Sequence, residues 1–273
     1  MRITNEIHTT FFKVRKNKIA KAEKSIQRLR GTKYNLRPEI DEIQMQQETL
    51  KGENNSFAEE FKKKATLKAF TIIIGLFFFF QMSGINAVTF YTTTIFIEAG
   101  VKLNPAVATI IIGIIQVIAN ASSIIAVDRF GRKFLLVISS IGMFIGSIGI
   151  GAFFTLKDSD PMALETYKWL PLPSLSIFVI GFSVGMGPIP FILLGELFSP
   201  DAKKVIAPIA QTMNFIMSFI IGFIYPFLAE YLGTGPTFYM FSGFTFLGLL
   251  FTIFVIPETK GQSLVEIQSL LTK

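Results

Sequence analysis

From about residue 68 onward, long apolar runs alternate with short polar joints. A membrane-spanning helix needs about 20 largely apolar residues. Six runs reach that length, at roughly 68–93, 105–127, 134–155, 174–198, 204–229 and 236–256. The joints fall at Asn104 and Pro105, Asp128 to Lys133, Thr155 to Pro173, Ser199 to Lys204, and Leu232 to Pro236, and most contain proline or glycine. The pattern predicts an all-α integral membrane protein with six transmembrane helices. Ahead of these runs the periodicity changes. KNKIAKAEKSIQRLRG sets Ile19, Ala22, Ile26 and Leu29 near helical spacing and stops at Gly31, and a second, acidic helix is expected over about 38–50. The expected organisation is a helical arm over 1–66, a six-helix bundle over 67–257 and a tail over 258–273.

Charge orients this arrangement. Only 16% of the 273 residues are charged, against about 25% in soluble domains. If the arm lies on one side of a membrane, that side receives 23 of the 26 Lys and Arg residues, and the other side keeps Lys102, Lys157 and Lys168. The bias predicts cytoplasmic N- and C-termini. It also reads the net charge of +7 as a flank facing anionic lipid, with no nucleic-acid partner. The Asn54-Asn55-Ser56 glycosylation pattern is silent on that side. With no cysteine and a single histidine, His8, thiolate and histidine metal sites are excluded, and no cofactor is implied. The spans hold no acid pair, nucleophile with base or phosphate loop, so an enzyme is not expected.

The polar residues inside the spans are the informative ones, because an amide buried without a partner costs roughly 2–7 kcal/mol. FFFFQMSGINAVTFYT, at 77–92, carries Gln81, Ser83, Asn86, Thr89 and Tyr91. On a straight helix Gln81 and Asn86 stand about 140° apart. Gly84 lies between them, where a helix bends or unwinds most cheaply. A break there would bring both amides to one cavity; the alternative is interhelical hydrogen bonding with no cavity. In the second span Gln116 and Asn120 share a face. The fourth contains GFSVGMGPIPF, where Gly185, Gly187, Pro188 and Pro190 make a continuous helix improbable, as a hinge or as a static kink. Phe182 and Phe191 flank it. The fifth has Gln211, Asn214 and Ser218, with Phe215 beside them. Amides offer a donor and an acceptor at one tip, and charged cargo would call for buried ionic partners. Amides, hydroxyls and rings with almost no charge at depth suit a neutral polyhydroxyl solute.

The joints carry DRFGRK (128–133), ELFSPDAKK (196–204) and PETKG (257–261). Each serves as a topology anchor or as part of a cytoplasmic latch, in which Arg129 or Arg132 pairs with Glu196 in one state and releases it in another. Exposed pairs contribute about 0–1 kcal/mol, enough to bias two balanced states without locking either.

QxSGINxxxFY (81–91), DRxGRK (128–133), GPIPxxxxGELF (187–198) and PETKG (257–261), in this order and spacing, resemble the C-terminal half of the sugar porters of the major facilitator superfamily. AEKSIQRLRG resembles the helical intracellular domain before that half. SGINAVTFYTTTIF, WLPL (169–172) and GFSVGMGPIPF are most similar to insect facilitated trehalose transporters. The resemblance implies a twelve-helix fold of two six-helix halves, alternating access between them, a neutral sugar (trehalose or hexose) as cargo and a plasma-membrane location. It implies sugar contacts at Gln81, Asn86, Gln116, Phe182, Ser183, Phe191 and Asn214. It implies gating at Gly84, Gly185, Gly187, Pro188 and Pro190, and a cytoplasmic latch at Asp128, Arg129, Gly131, Arg132, Glu196 and Glu258. Departures are Phe80 for the first Gln of a QQ pair, Gln116 for Asn, Phe191 and Phe215 where Trp is common, and Lys203 and Lys204 near a usual Arg. Six of the twelve spans and a PESPR motif ahead of the arm are not in this sequence. The expectation is therefore a transporter half that works with an N-terminal half. The rival is a non-transporting membrane protein or a regulatory partner of full-length relatives.

Overall fold

The structure, a computed structural model, describes residues 64–159, 165–262 and 264–272. The arm helices and the 54–56 pattern lie outside these residues. The described residues form helices and no strands, and six segments are long and apolar enough to cross a membrane: Lys64–Ala99, Pro105–Phe130, Arg132–Ser159, Pro171–Glu196, Ala202–Leu232 and Thr234–Val255. The first segment is two helices, α1 (Lys64–Met82) and α2 (Ile85–Ala99). The second and third are α3 (Pro105–Phe130) and α4 (Arg132–Ser159). The fourth divides into α5 (Pro171–Gly181) and α6 (Ile189–Glu196) around a π-turn at Phe182–Met186. α7 (Pro200–Leu232) and α8 (Thr234–Val255) complete the bundle, and a short α9 (Leu264–Thr272) follows.

Sequence chemistry sets the helix starts. Asn104 Oδ1 accepts from Ala106 N–H at 2.9 Å with Pro105 in the first turn of α3. Ser199 Oγ does the same for Ala202 N–H at 3.3 Å ahead of α7, with Pro200 in its first turn. Each cap satisfies a backbone donor that the helix cannot. Two further joints between spans, at Gly131 and Gly233, have φ of +93° and +92°.

Lipid tails are as apolar as leucine, so spanning helices associate through close packing of small residues. α4 packs most extensively against α8 and α5. A Cβ on Gly146 would lie 2.7 Å from both Ser174 O and Phe178 N, and one on Gly185 only 2.5 Å from Leu135 O. Ser139 Oγ accepts from Met186 N–H at 2.8 Å across the same seam. On the other side of α4, a Cβ on Gly151 would lie 2.8 Å from the Tyr239 ring. α3 and α7 differ. Ile110, Val117 and Ile124 on α3, and Phe215, Phe219 and Phe223 on α7, are exposed.

Candidate functional site

α1 and α2 meet at Gly84, whose φ of +81° is left-handed. An L side chain is strained there, and a Cβ would in addition lie only 2.4 Å from Phe241 Cδ2. Both constraints require glycine. The polar groups of the turn are satisfied locally. Gly84 N–H donates to Gln81 O at 3.2 Å, Ser83 N–H to Phe79 O at 3.0 Å, and Ser83 Oγ to Phe80 O at 2.6 Å.

The break rotates α2 so that two amides distant on a straight helix come into contact. Asn86 Nδ2 donates to Gln81 Oε1. Gln81 Nε2 then donates to Asn214 Oδ1 at 2.6 Å and to Asn214 O at 3.0 Å. This hydrogen-bonded row joins α2, α1 and α7. Gln81 and Asn214 are buried and Asn86 is half-buried. Asn86 Oδ1 and Asn214 Nδ2, the two ends of the row, make no hydrogen bond among the described residues. The row therefore holds its middle member fixed and offers an acceptor at one end and a donor at the other.

A cluster of rings forms around Phe80, the residue before Gln81. Phe80 lies edge-on to Phe182 with centroids 5.0 Å apart, and Phe191 contacts Phe77 at 5.3 Å and Phe80 at 6.3 Å. Such pairings contribute about 0.5–1.5 kcal/mol beyond burial. Phe80 thus belongs to an aromatic wall. Phe191 remains partly open, and Phe215 points away from the packed side, 68% exposed.

Ser183 lies on the π-turn, wholly buried, with its Oγ unpartnered. The turn itself is closed by Gly187 N–H donating to Phe182 O at 2.8 Å. Pro188 and Pro190, without N–H groups, follow at the start of α6. Gly185 has a packing reason of its own, its contact with the α4 backbone. Gln116 is half-buried on α3, which packs against the π-turn, and it shares no hydrogen bond with the amide row. Cavities at Lys102, Trp169 and Leu172, and at Arg132, Glu196 and Thr259, are not lined by the row.

The charged motifs gather at one end of the bundle. Arg132 meets Glu196 through Nη2 at 2.8 Å and Nε at 3.2 Å, and lies 3.9 Å from Asp128. Thr259 Oγ1 donates to Glu196 Oε2 at 2.7 Å. Glu258 accepts from the backbone N–H groups of Arg132, Lys133, Thr259 and Lys260 at 3.0–3.1 Å, so it caps the start of α4. Burial pushes the Glu258 carboxyl up, but those four N–H groups outweigh it and hold it below the ordinary 4.5. A Cβ on Gly131 would lie 2.7 Å from Glu258 Oε2. Of the two candidate latch arginines, Arg132 makes the pair, while Arg129 lies over the Phe130 ring at 5.8 Å.

Several partners were not foreseeable. Phe77 in the aromatic wall carries no polar signal. Tyr91, whose hydroxyl donates to Gly222 O at 3.1 Å and ties α2 to α7, was visible only as one more polar residue. Thr259 lies within PETKG, but nothing in that motif names Glu196 as its acceptor.

Residues 8–271 match the model of a family described as "Sugar (and other) transporter". The chain is 38% identical over 249 residues to the facilitated trehalose transporter Tret1 of Aedes aegypti, covering 91% of this chain and 31% of that protein. It is 38% identical over 260 residues to Tret1 of Bombyx mori, covering 95% and 51%. The chain thus spans about a third to a half of the length of these relatives. In fold it is similar to the proton:xylose symporter XylE bound to 6-bromo-6-deoxy-D-glucose, with a TM-score of 0.67 at 23% identity, covering 96% of this chain and 54% of that one.

Proposed function

The chain belongs to the sugar transporter family, and from that premise we propose that it forms one side of a transmembrane pathway for a neutral sugar, trehalose or a hexose. The observation that carries this reading is the Asn86–Gln81–Asn214 row at the helix break. Its free acceptor and donor ends match sugar hydroxyls, which both give and take hydrogen bonds. The neighbouring Phe80, Phe182 and Phe191 rings supply apolar faces for the C–H side of a pyranose. No charged side chain takes part in the row, which suits an uncharged solute.

The other wall is supplied by a second six-helix half, from the same polypeptide or from a relative. α3 and α7 are the faces it covers, since they leave the most apolar surface open and α7 also carries Asn214. The Lys and Arg bias supports a cytoplasmic position for the Arg132–Glu196 end. There Arg132, Glu196, Glu258 and Thr259 tie α4, α6 and the segment after α8 together. They act as a latch that breaks and re-forms as the halves rock, while the Gly84 turn and the Phe182–Pro190 bend absorb local movement.

Uptake of labelled trehalose and glucose by cells expressing this chain alone, and together with the N-terminal half of a Tret1 relative, tests the reading. Uptake in the paired cells is expected. Its absence in both would contradict transport and favour a non-transporting membrane partner.

A further inference from the structure

α7 carries a second amide that the hydrogen-bonded row does not use. Gln211 precedes Asn214 by three residues, which places it about 60° round the helix and about 4.5 Å along it. With Ser218 the two form one stripe. That stripe borders the packed side of α7: Ile206, Ala210, Asn214, Ile221 and Tyr225 are buried, whereas Met213, Phe215, Ile216 and Phe219 are exposed. Gln211 makes no hydrogen bond among the described residues, and its Oε1 is covered with no partner. A covered carbonyl oxygen in that state has given up water and received nothing in return. Native structures keep few such groups, and each calls for an explanation. An apolar residue would fill this place in a spanning helix without that penalty, so a partner that arrives and leaves explains the amide.

We propose that Gln211 is a further sugar-contacting residue, and that it reads the second ring of a disaccharide of the trehalose type. This rests on the sugar-pathway reading above. In that reading the two free ends of the Asn86–Gln81–Asn214 row meet one ring's hydroxyls from α2 and α7. Gln211 lies a further turn toward the Pro200 end of α7, a step of about 4.5 Å, comparable to the width of one pyranose ring. A side-chain rotation that uncovers its Oε1 lets it accept a hydroxyl hydrogen there, on a stretch of α7 (Ala207, Pro208, Ala210, Met213) with no charge to select an ionic ligand.

The test is equilibrium binding of labelled trehalose and glucose to the purified chain paired with the N-terminal half of a Tret1 relative, in lipid nanodiscs. Gln211→Leu is expected to weaken trehalose binding about tenfold, leave glucose binding unchanged, and leave the thermal midpoint unchanged or raised. Gln211→Met, closer in shape, is expected to behave the same way and covers a failure of the leucine variant to fold. Unchanged trehalose affinity in a variant of normal stability would overturn the proposal, as would equal losses for both sugars. In either case wild-type binding would leave the pathway reading standing. Wild-type protein that binds neither sugar would contradict both.

Discussion

The segments Lys64–Ala99 and Ala202–Leu232 are comparably apolar, yet 61% of the first segment's most apolar stretch is buried inside the bundle and only 11% of the second's. In water such a difference would leave an intolerable surface. In a bilayer it does not, because lipid and protein interior are alike to a leucine side chain. Apolar composition therefore finds a spanning helix without saying what it faces. Small and polar residues say that. The first segment carries the Gly84 turn against Phe241 and the Gln81 amide against α7. α7 keeps its amides on a single stripe and leaves its phenylalanines outside. The closely packed helices are fixed by contacts that tolerate no extra methyl group, while α3 and α7 are free to meet lipid or another protein surface.

The sharpest way to break this contrast is at the turn. Gly84→Ala imposes left-handed strain of about 1–2 kcal/mol and a clash with Phe241, for a total of about 2–5 kcal/mol. A large loss of monodisperse protein and a lower thermal midpoint in detergent are expected. A variant indistinguishable from wild type would show that Gly84 does not set the break. The next effect compares two glycines directly. Gly146→Ala, against the α5 backbone, is expected to destabilise by about 1–3 kcal/mol. Gly113→Ala on α3, where a Cβ meets nothing within 4 Å, is expected to leave stability unchanged or raise it by up to about 1 kcal/mol. Equal effects would erase the distinction between packed and open helices.

These contrasts also mark what the sequence discloses. The six spans are legible because apolar runs of that length have few other uses, and all six expected runs overlap spanning helices. The amides of 81–91 stood out because polar groups at membrane depth need a reason. Their partner did not: Asn214 is 133 residues from Gln81, and no local pattern pairs them. GFSVGMGPIPF shows the converse limit. It reads as a hinge or a static kink, and Gly185 is also demanded by its approach to Leu135 O; glycine looks the same in sequence whether it serves motion or packing. Arg129 and Arg132 were equivalent candidates for Glu196 until helix geometry separated them.

A smaller effect lies at the charged end. Because the Glu258 carboxyl is held below its ordinary 4.5 by backbone donors, the unfolded chain takes up that proton first as pH falls. The stabilisation is fully present above the ordinary carboxylate range and is lost as pH drops through the lower folded value. Thermal midpoints measured from pH 7 down to pH 3 are expected to fall more steeply below about pH 4.5 for wild type than for Glu258→Gln. Parallel curves would show that the cap carries no linked proton.

The most direct test of whether the amide row binds sugar is the affinity of an active, paired protein for trehalose and glucose with and without Asn86→Ala. The row predicts binding weakened by about 1–3 kcal/mol, since a hydroxyl partner is lost, together with a lower thermal midpoint, since Gln81 Oε1 loses its donor. Unchanged affinity accompanied by lower abundance would contradict it, and would make Asn86, Gln81 and Asn214 a structural clasp between helices.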